Sequence, residues 1–249
     1  MARIRLMALL MSVFSAACAT TSPDAKKPPT DDEKARMFVE VANGALMEGD
    51  PTGALYNLDA AEKLNEDLPE IHHSRALAFH AKHDLGKALQ SARRAVSIAP
   101  KYSDARNTLG RLLMESGKLI EAVPHFQAAA GDSLYRDAFK ADTNLGILYY
   151  RQGEFAKATH HLDRAIRDAP MRACYAHYYR GHVSVTQGQF DQAARSYDKA
   201  TQKFCAGFAD AHLALGIAYE RGKNYTQARK KFLDIKQTFP GTKVADQAV

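Results

Sequence analysis

The chain has 249 residues, of which 46% are hydrophobic and 25% charged, with only three Cys and no Trp. Its 34 basic residues include Arg3 and Arg5, so 32 face 28 acidic ones over the rest of the chain. So small and dispersed an excess gives no electrostatic footprint for nucleic acid, and no aromatic-rich basic patch or nucleic-acid motif accompanies it.

The first element is an export signal. Arg3 and Arg5 make a basic start, Leu6 to Phe14 is a nine-residue run dominated by apolar side chains, and Ser15, Ala16 and Ala17 lead to Cys18. Nine residues fall short of the roughly 20 that a membrane-spanning helix needs, which sets residues 1–17 apart as a cleavable signal. The context of Cys18 resembles a bacterial lipobox, with Ser15 where Leu is usual; cleavage after Ala17 or Ala19, releasing a soluble periplasmic chain, is the alternative. Lipidation of Cys18 leaves Cys174 and Cys205 as an even pair in an oxidising compartment. By resemblance to bacterial lipoproteins, Ala19 after the Cys implies sorting to the periplasmic face of the outer membrane. Several acyl chains, each burying about 0.8 kcal/mol per CH₂, anchor where one would not. Residues 18–34 then read as the lipidated Cys and a flexible tether, because ATTSPDAKKPPTDD (19–32) has three Pro and no large apolar side chain to bury.

From residue 35 a repeat takes over. Blocks 35–68, 69–102, 103–136, 139–172, 174–207 and 209–242 align, with Ala42, Ala76, Gly110, Gly146, Gly181 and Gly216 at the eighth position. The twentieth position is Ala throughout (Ala54, Ala88, Ala122, Ala158, Ala193, Ala228), and the twenty-seventh is Ala until Ile235. Pro100, Pro170 and Pro240 close three blocks, and Gly49, Gly117, Gly153 and Gly188 sit midway, where a positive φ costs Gly little. Each block is therefore two antiparallel helices joined by a tight turn, with small residues where the helices approach. One hairpin cannot bury its own apolar stripe, so neighbours stack. The expected fold is all-α, a right-handed α-solenoid of six tetratricopeptide repeats. The first repeat is the least regular, with Val41 and Ala45 at core positions, and the tail 243–249 is too short for a full capping helix.

No catalytic constellation stands out. His72, His73, His80 and His83 cluster on one helix and its turn and His160–His161 form a pair, without a ligand spacing such as HExxH, so they read as surface histidines. There is no Gly-rich phosphate loop, no GxSxG and no Cys beside a plausible base. The expectation is a protein that is not an enzyme and holds no metal, cofactor or small-molecule substrate. Cys174 opens a first helix and Cys205 follows a second, and an antiparallel hairpin returns its end to its beginning. A disulfide there closes a loop of about 32 residues, on the order of 3 kcal/mol; two buried free thiols are the alternative.

The binding surface expected of such repeats is the concave groove, faced by positions 2, 5, 9, 12 and 13 of each first helix. These supply Val39, Asn43, Leu46, Met47, His73, Leu77, His80, Asn107, Arg111, Met114, Ile147 and Tyr150, with Lys140, Thr143, Tyr175, Tyr178 and His182 beside and beyond them. The set describes an apolar and aromatic trough for a protein segment. It lacks the Lys–Asn pattern of repeats that clamp a C-terminal carboxylate.

Between the third and fourth blocks the period stretches by two residues, and Asp132, Leu134, Tyr135 and Asp137 match a short insertion, with Ser133 at a Pro position. That insertion, with a lipoprotein signal and six repeats, resembles the type IV pilus pilotins of the PilF/PilW/Tgl group over roughly residues 33–242. The resemblance implies an outer-membrane lipoprotein that binds secretin subunits and promotes their multimerisation for pilus assembly and motility, through the groove of the first four repeats. The ending 232–248 also has the look of other envelope scaffolds, such as outer-membrane-protein assembly lipoproteins or peptidoglycan-enzyme adaptors.

Overall fold

A computed structural model describes residues 27–248. The expected signal peptide and Cys18 lie outside the described residues. Among those described the secondary structure is helical: six hairpins run in chain order, α1 (Asp31–Met47) with α2 (Pro51–Glu62), α3 (Pro69–Ala81) with α4 (Leu85–Ile98), and α5 (Ser103–Glu115) with α6 (Leu119–Ala130). The second half follows suit, with α7 (Ala138–Arg151) and α8 (Phe155–Asp168), α9 (Cys174–Thr186) and α10 (Phe190–Lys199), and α11 (Ala209–Arg221) and α12 (Tyr225–Thr238). A five-residue α13 (Lys243–Gln247) ends the series. No helix among them is long and apolar enough to cross a membrane.

The first hairpin begins earlier than the repeat frame implies. Thr30 accepts from the Glu33 amide while the Glu33 carboxylate accepts from the Thr30 amide, a reciprocal cap, and Asp31, Asp32 and Glu33 fill the first turn of α1. Acidic side chains suit that positive helix end, so helix replaces tether from Asp31. The tail departs too: Thr242 caps α13, and Ala245 and Ala248 are buried against the last hairpin.

The eighth-position glycines do more than let helix backbones approach. A Cβ on Gly110 would lie 2.6 Å from the ring of Phe126, and one on Gly181 would lie 2.5 Å from the ring of Tyr197. The side chain sixteen residues on lies over the glycine, so a missing Cβ on one helix becomes an aromatic ring on the other. The ring is buried within its own hairpin. At the midway turns, Gly49, Gly117, Gly153 and Gly188 take positive φ as expected, while His83 (φ 59) and Lys223 (φ 61) occupy the same place in the second and sixth repeats. A left-handed non-glycine residue costs roughly 1–2 kcal/mol.

A fourth-position column, unread in the sequence, ties each hairpin to the one before. His72, His177 and His212 bond through Nε2 to the carbonyls of Glu66, Pro170 and Ala206, at 3.1, 3.1 and 3.0 Å. Arg106 reaches the Pro100 carbonyl in the same way. The fourth hairpin carries Asp142 there, fully buried, paired with His161 at 2.9 Å and Arg164 at 3.0 Å. Arg164 in turn donates to the Ala130 carbonyl at 3.2 Å, so the link to the previous hairpin survives by a longer route. The histidines and Arg106 satisfy backbone carbonyls in the turns that lead from one hairpin to the next. His72, His177 and His212 are therefore buried inter-repeat staples and not surface residues.

The first repeat overturns two assignments. Val39, expected in the groove, is 5% exposed and packs with Ala35, Ala42 and Ile71; Val41, expected in the core, is 56% exposed. Position seven is buried by the preceding hairpin in the middle of the stack, and α1 has no preceding hairpin among the described residues.

Candidate binding groove

The first helices α1, α3, α5, α7, α9 and α11 stand side by side and form the concave face. Several expected groove residues are consumed in joining them. The Ser74 hydroxyl donates to Asn43 at 2.7 Å, and His73 bridges the hydroxyls of Thr108 (3.0 Å) and Tyr102 (3.2 Å). His80 meets Glu115 at 2.7 Å, and the Asn144 amide donates to Asn107 at 2.9 Å. Most of these pairs are 31 to 37 residues apart, one repeat, so they are rungs between neighbouring helices. Burial lowers the pKa of His73, with Asp104 and Glu70 partly opposing, so its ring is held neutral between the two hydroxyls.

The apolar stripe expected from Leu46 to Tyr150 is accordingly discontinuous. Met47 is 90% exposed at its start, while Leu46, Leu77 and Met114 are half-buried. Tyr150 leans on Tyr179, edge to face with centroids 5.5 Å apart, and opens an aromatic patch with Tyr178, His182 and Tyr197. Burial pushes the Tyr178 phenol up to about 12, so it stays protonated as a donor.

What the fold does concentrate is a pocket of about 450 Å³ across α5, α7 and the start of α9. Asn107 and Ile147, each 7% exposed, lie deep in it; Thr143 and Phe139 line it, and Arg111, Lys140, Arg172 and Tyr175 complete the wall. Six expected groove residues, Asn107, Arg111, Lys140, Thr143, Ile147 and Tyr175, thus converge, and Val39 through His80 lie elsewhere. Sequence reasoning missed Phe139, Asn144 and Arg172. Arg172 sits in the turn before α9, outside any helix-position rule, and Phe139 and Asn144 are first and sixth in their block, positions the rule leaves out. Its guanidinium lies over the Phe139 ring at 4.8 Å from the centroid, a cation–π contact that holds the wall.

The disulfide belongs to this wall. Cys174 and Cys205 are bonded, with Cα atoms 5.5 Å apart, joining the start of α9 to the 3-10 turn Lys203–Cys205 after α10. Cys174 itself lines the pocket. The insertion contributes from the other side: Tyr135 donates to Asp104 at 2.9 Å, the Ser103 hydroxyl bonds Asp132 at 2.5 Å, and Asp137 pairs with both Lys140 and Arg172. Leu134 at its tip is 93% exposed. No group of three or more His, Cys, Asp or Glu that could hold a metal occurs among the described residues.

Comparison with known proteins gives one family and several relatives. The tetratricopeptide-repeat family model matches residues 107–173 and 178–241, together more than half of the chain. The type IV pilus assembly protein PilF of Pseudomonas aeruginosa is 23% identical over 164 residues, 65% of this chain and 65% of that protein's length. A small glutamine-rich tetratricopeptide repeat-containing protein of Mycosarcoma maydis is 32% identical over 101 residues, covering 40% of this chain and 29% of its own. Among solved structures, PilW, described as a widely conserved type IV pilus biogenesis factor, superposes with a TM-score of 0.75 at 21% identity, covering 85% of this chain and 96% of that one. The structure of Pseudomonas aeruginosa PilF gives 0.74 at 18% identity, covering 87% and 97%. With its six stacked hairpins and this match, the chain is a right-handed α-solenoid and belongs to the tetratricopeptide-repeat family.

Proposed function

We propose that this protein serves type IV pilus assembly as a pilotin, a lipid-anchored outer-membrane protein whose groove binds secretin subunits and promotes their multimerisation. The observation that carries the reading is mutual coverage: the two pilus-biogenesis structures align over 85% and 87% of this chain and 96% and 97% of their own, whereas Cut9 aligns over 42% of its own length and MamA over 68% of this chain. The insertion at 131–137, ordered by Tyr135 and Asp132, supports it independently.

The mechanism is placement and involves no bond-making. Lipid on Cys18 holds the solenoid at the periplasmic face, and the groove captures a secretin segment. Joining the two events raises the effective concentration of subunits where they assemble. The test is a deletion strain complemented with wild-type and Cys18→Ala chains. Loss of secretin multimers and surface pili, with normal levels of other outer-membrane proteins, is the expected result; a general fall in those proteins with pili intact would favour a different envelope scaffold. Retention of the Cys18→Ala chain in the outer membrane would sink the anchor.

A further inference from the structure

The ninth-position residues of successive first helices are Asn43, Leu77, Arg111, Ile147, His182 and Ile217, so Arg111 is the one cation in the row. It makes no ion pair or side-chain hydrogen bond among the described residues. Two further cations, Lys140 and Arg172, stand in the same pocket, and both are drawn to the single carboxylate of Asp137 at the rim. Three positive side chains line the pocket, with no carboxylate among the lining residues. Arg111 is itself exposed, and buried Ile147 and Asn107 line the same pocket.

We propose that this pocket receives the carboxylate of an internal Asp or Glu within an extended, otherwise apolar segment of the client, with Arg111 as its principal partner. The proposal rests on the groove being the client-binding face. A guanidinium offers two parallel donors to a carboxylate, and this one has both free. An internal residue fits better than a chain end because the concave surface continues past the pocket both ways, through half-buried Leu77 on one side and Tyr178 on the other. These and Ile147 supply the apolar contacts for flanking residues. The junction differs from the others in that Asp137 pairs with Lys140 and Arg172, while Arg111 has no such partner among the described residues.

The test uses the purified full chain in detergent and a random ten-residue peptide library displayed on phage. Peptides selected by the wild type are expected to carry Asp or Glu flanked by aliphatic or aromatic residues, and Arg111→Glu is expected to abolish that enrichment. The best sequence, synthesised with an amidated end, is expected to bind about tenfold tighter than its Gln counterpart. Against Arg111→Leu the two should bind alike, while circular dichroism and Tm of both variants match the wild type. Absence of acidic enrichment, equal affinity of the Glu and Gln peptides, or unchanged discrimination by Arg111→Leu each overturns the proposal. So does binding that needs a free C-terminal carboxylate, or a wild-type dimer that Arg111→Glu converts to monomer, which would make a second copy the occupant. Normal pili in a deletion strain would instead sink the pilus reading and leave these affinities untouched.

Discussion

The fourth hairpin and the sixth share Gly at the eighth position and Ala at the twentieth yet are packed very differently. Among first helices, α7 buries nine of fourteen residues, including Asp142, whereas α11 buries five of thirteen; among second helices the margin is small, three in α8 against two in α12. The difference comes from position in the stack. A central helix is covered by its own partner and by hairpins on both sides, while a terminal one has a single neighbour. The sixth hairpin has α13 laid against it, too short to cover Tyr225 and Leu233, which are 65% and 53% exposed. The pocket lies on the same gradient, because it forms where three consecutive first helices meet, with Asp137 pairing with Lys140 and Arg172 of its wall.

The sharpest way to break the comparison is truncation at equivalent positions, Leu162 over Gly146 and Phe232 over Gly216. Leu162, fully buried, is expected to cost roughly 2–5 kcal/mol as Leu162→Ala, while half-buried Phe232→Ala is expected to cost less than the roughly 3–5 kcal/mol of a fully buried Phe, read as midpoints of urea unfolding. A loss at Phe232 in the fully buried range would mean the ends are packed as tightly as the middle. Next in size is the fifth hairpin's disulfide: Cys174→Ser with Cys205→Ser should lose about 3 kcal/mol, and hydrogen exchange should rise first at the start of α9 and in the turn after α10.

A pH effect sharpens the role of the histidine staples. Burial lowers the pKa of His177 in the folded chain, with the Pro170 carbonyl partly opposing. The unfolded chain therefore takes up the proton first, and stability falls as pH drops below about 6.5, with no contribution above it. The stability advantage of wild type over His177→Gln is expected to shrink between pH 7 and pH 5; an advantage that grows on acidification would contradict a neutral staple. Smallest is Lys223→Gly at the sixth turn, which should relieve left-handed strain and raise stability by about 1 kcal/mol, with no gain at Gly188→Ala in the fifth, where strain would be introduced.

Much of the fold was legible because its signal is local and repeated. Gly146, Ala158 and Ala165 recur in register with their counterparts since each hairpin solves the same packing problem. The candidate site was legible in part. Asn107, Arg111, Lys140, Thr143, Ile147 and Tyr175 were found by helix position, though position five is more covered than expected, with Val39, Asn107 and Thr143 buried. His73 and His80 looked like free groove residues because the partners that occupy them, Thr108 and Glu115, are 35 residues away. The fourth-position column of His72, Arg106, His177 and His212 was present in the sequence, and its chemistry was hidden because the acceptors are backbone carbonyls, which carry no residue identity.

By itself, then, the sequence determined the number of hairpins, their boundaries to within a few residues and the small side chains where helices meet, since a period of 34 to 36 residues leaves one way to bury each stripe. Tertiary structure alone decided which concave side chains remain free. That depends on contacts one repeat apart and on Asp137, which pairs with Lys140 and Arg172, while Arg111 has no such partner among the described residues.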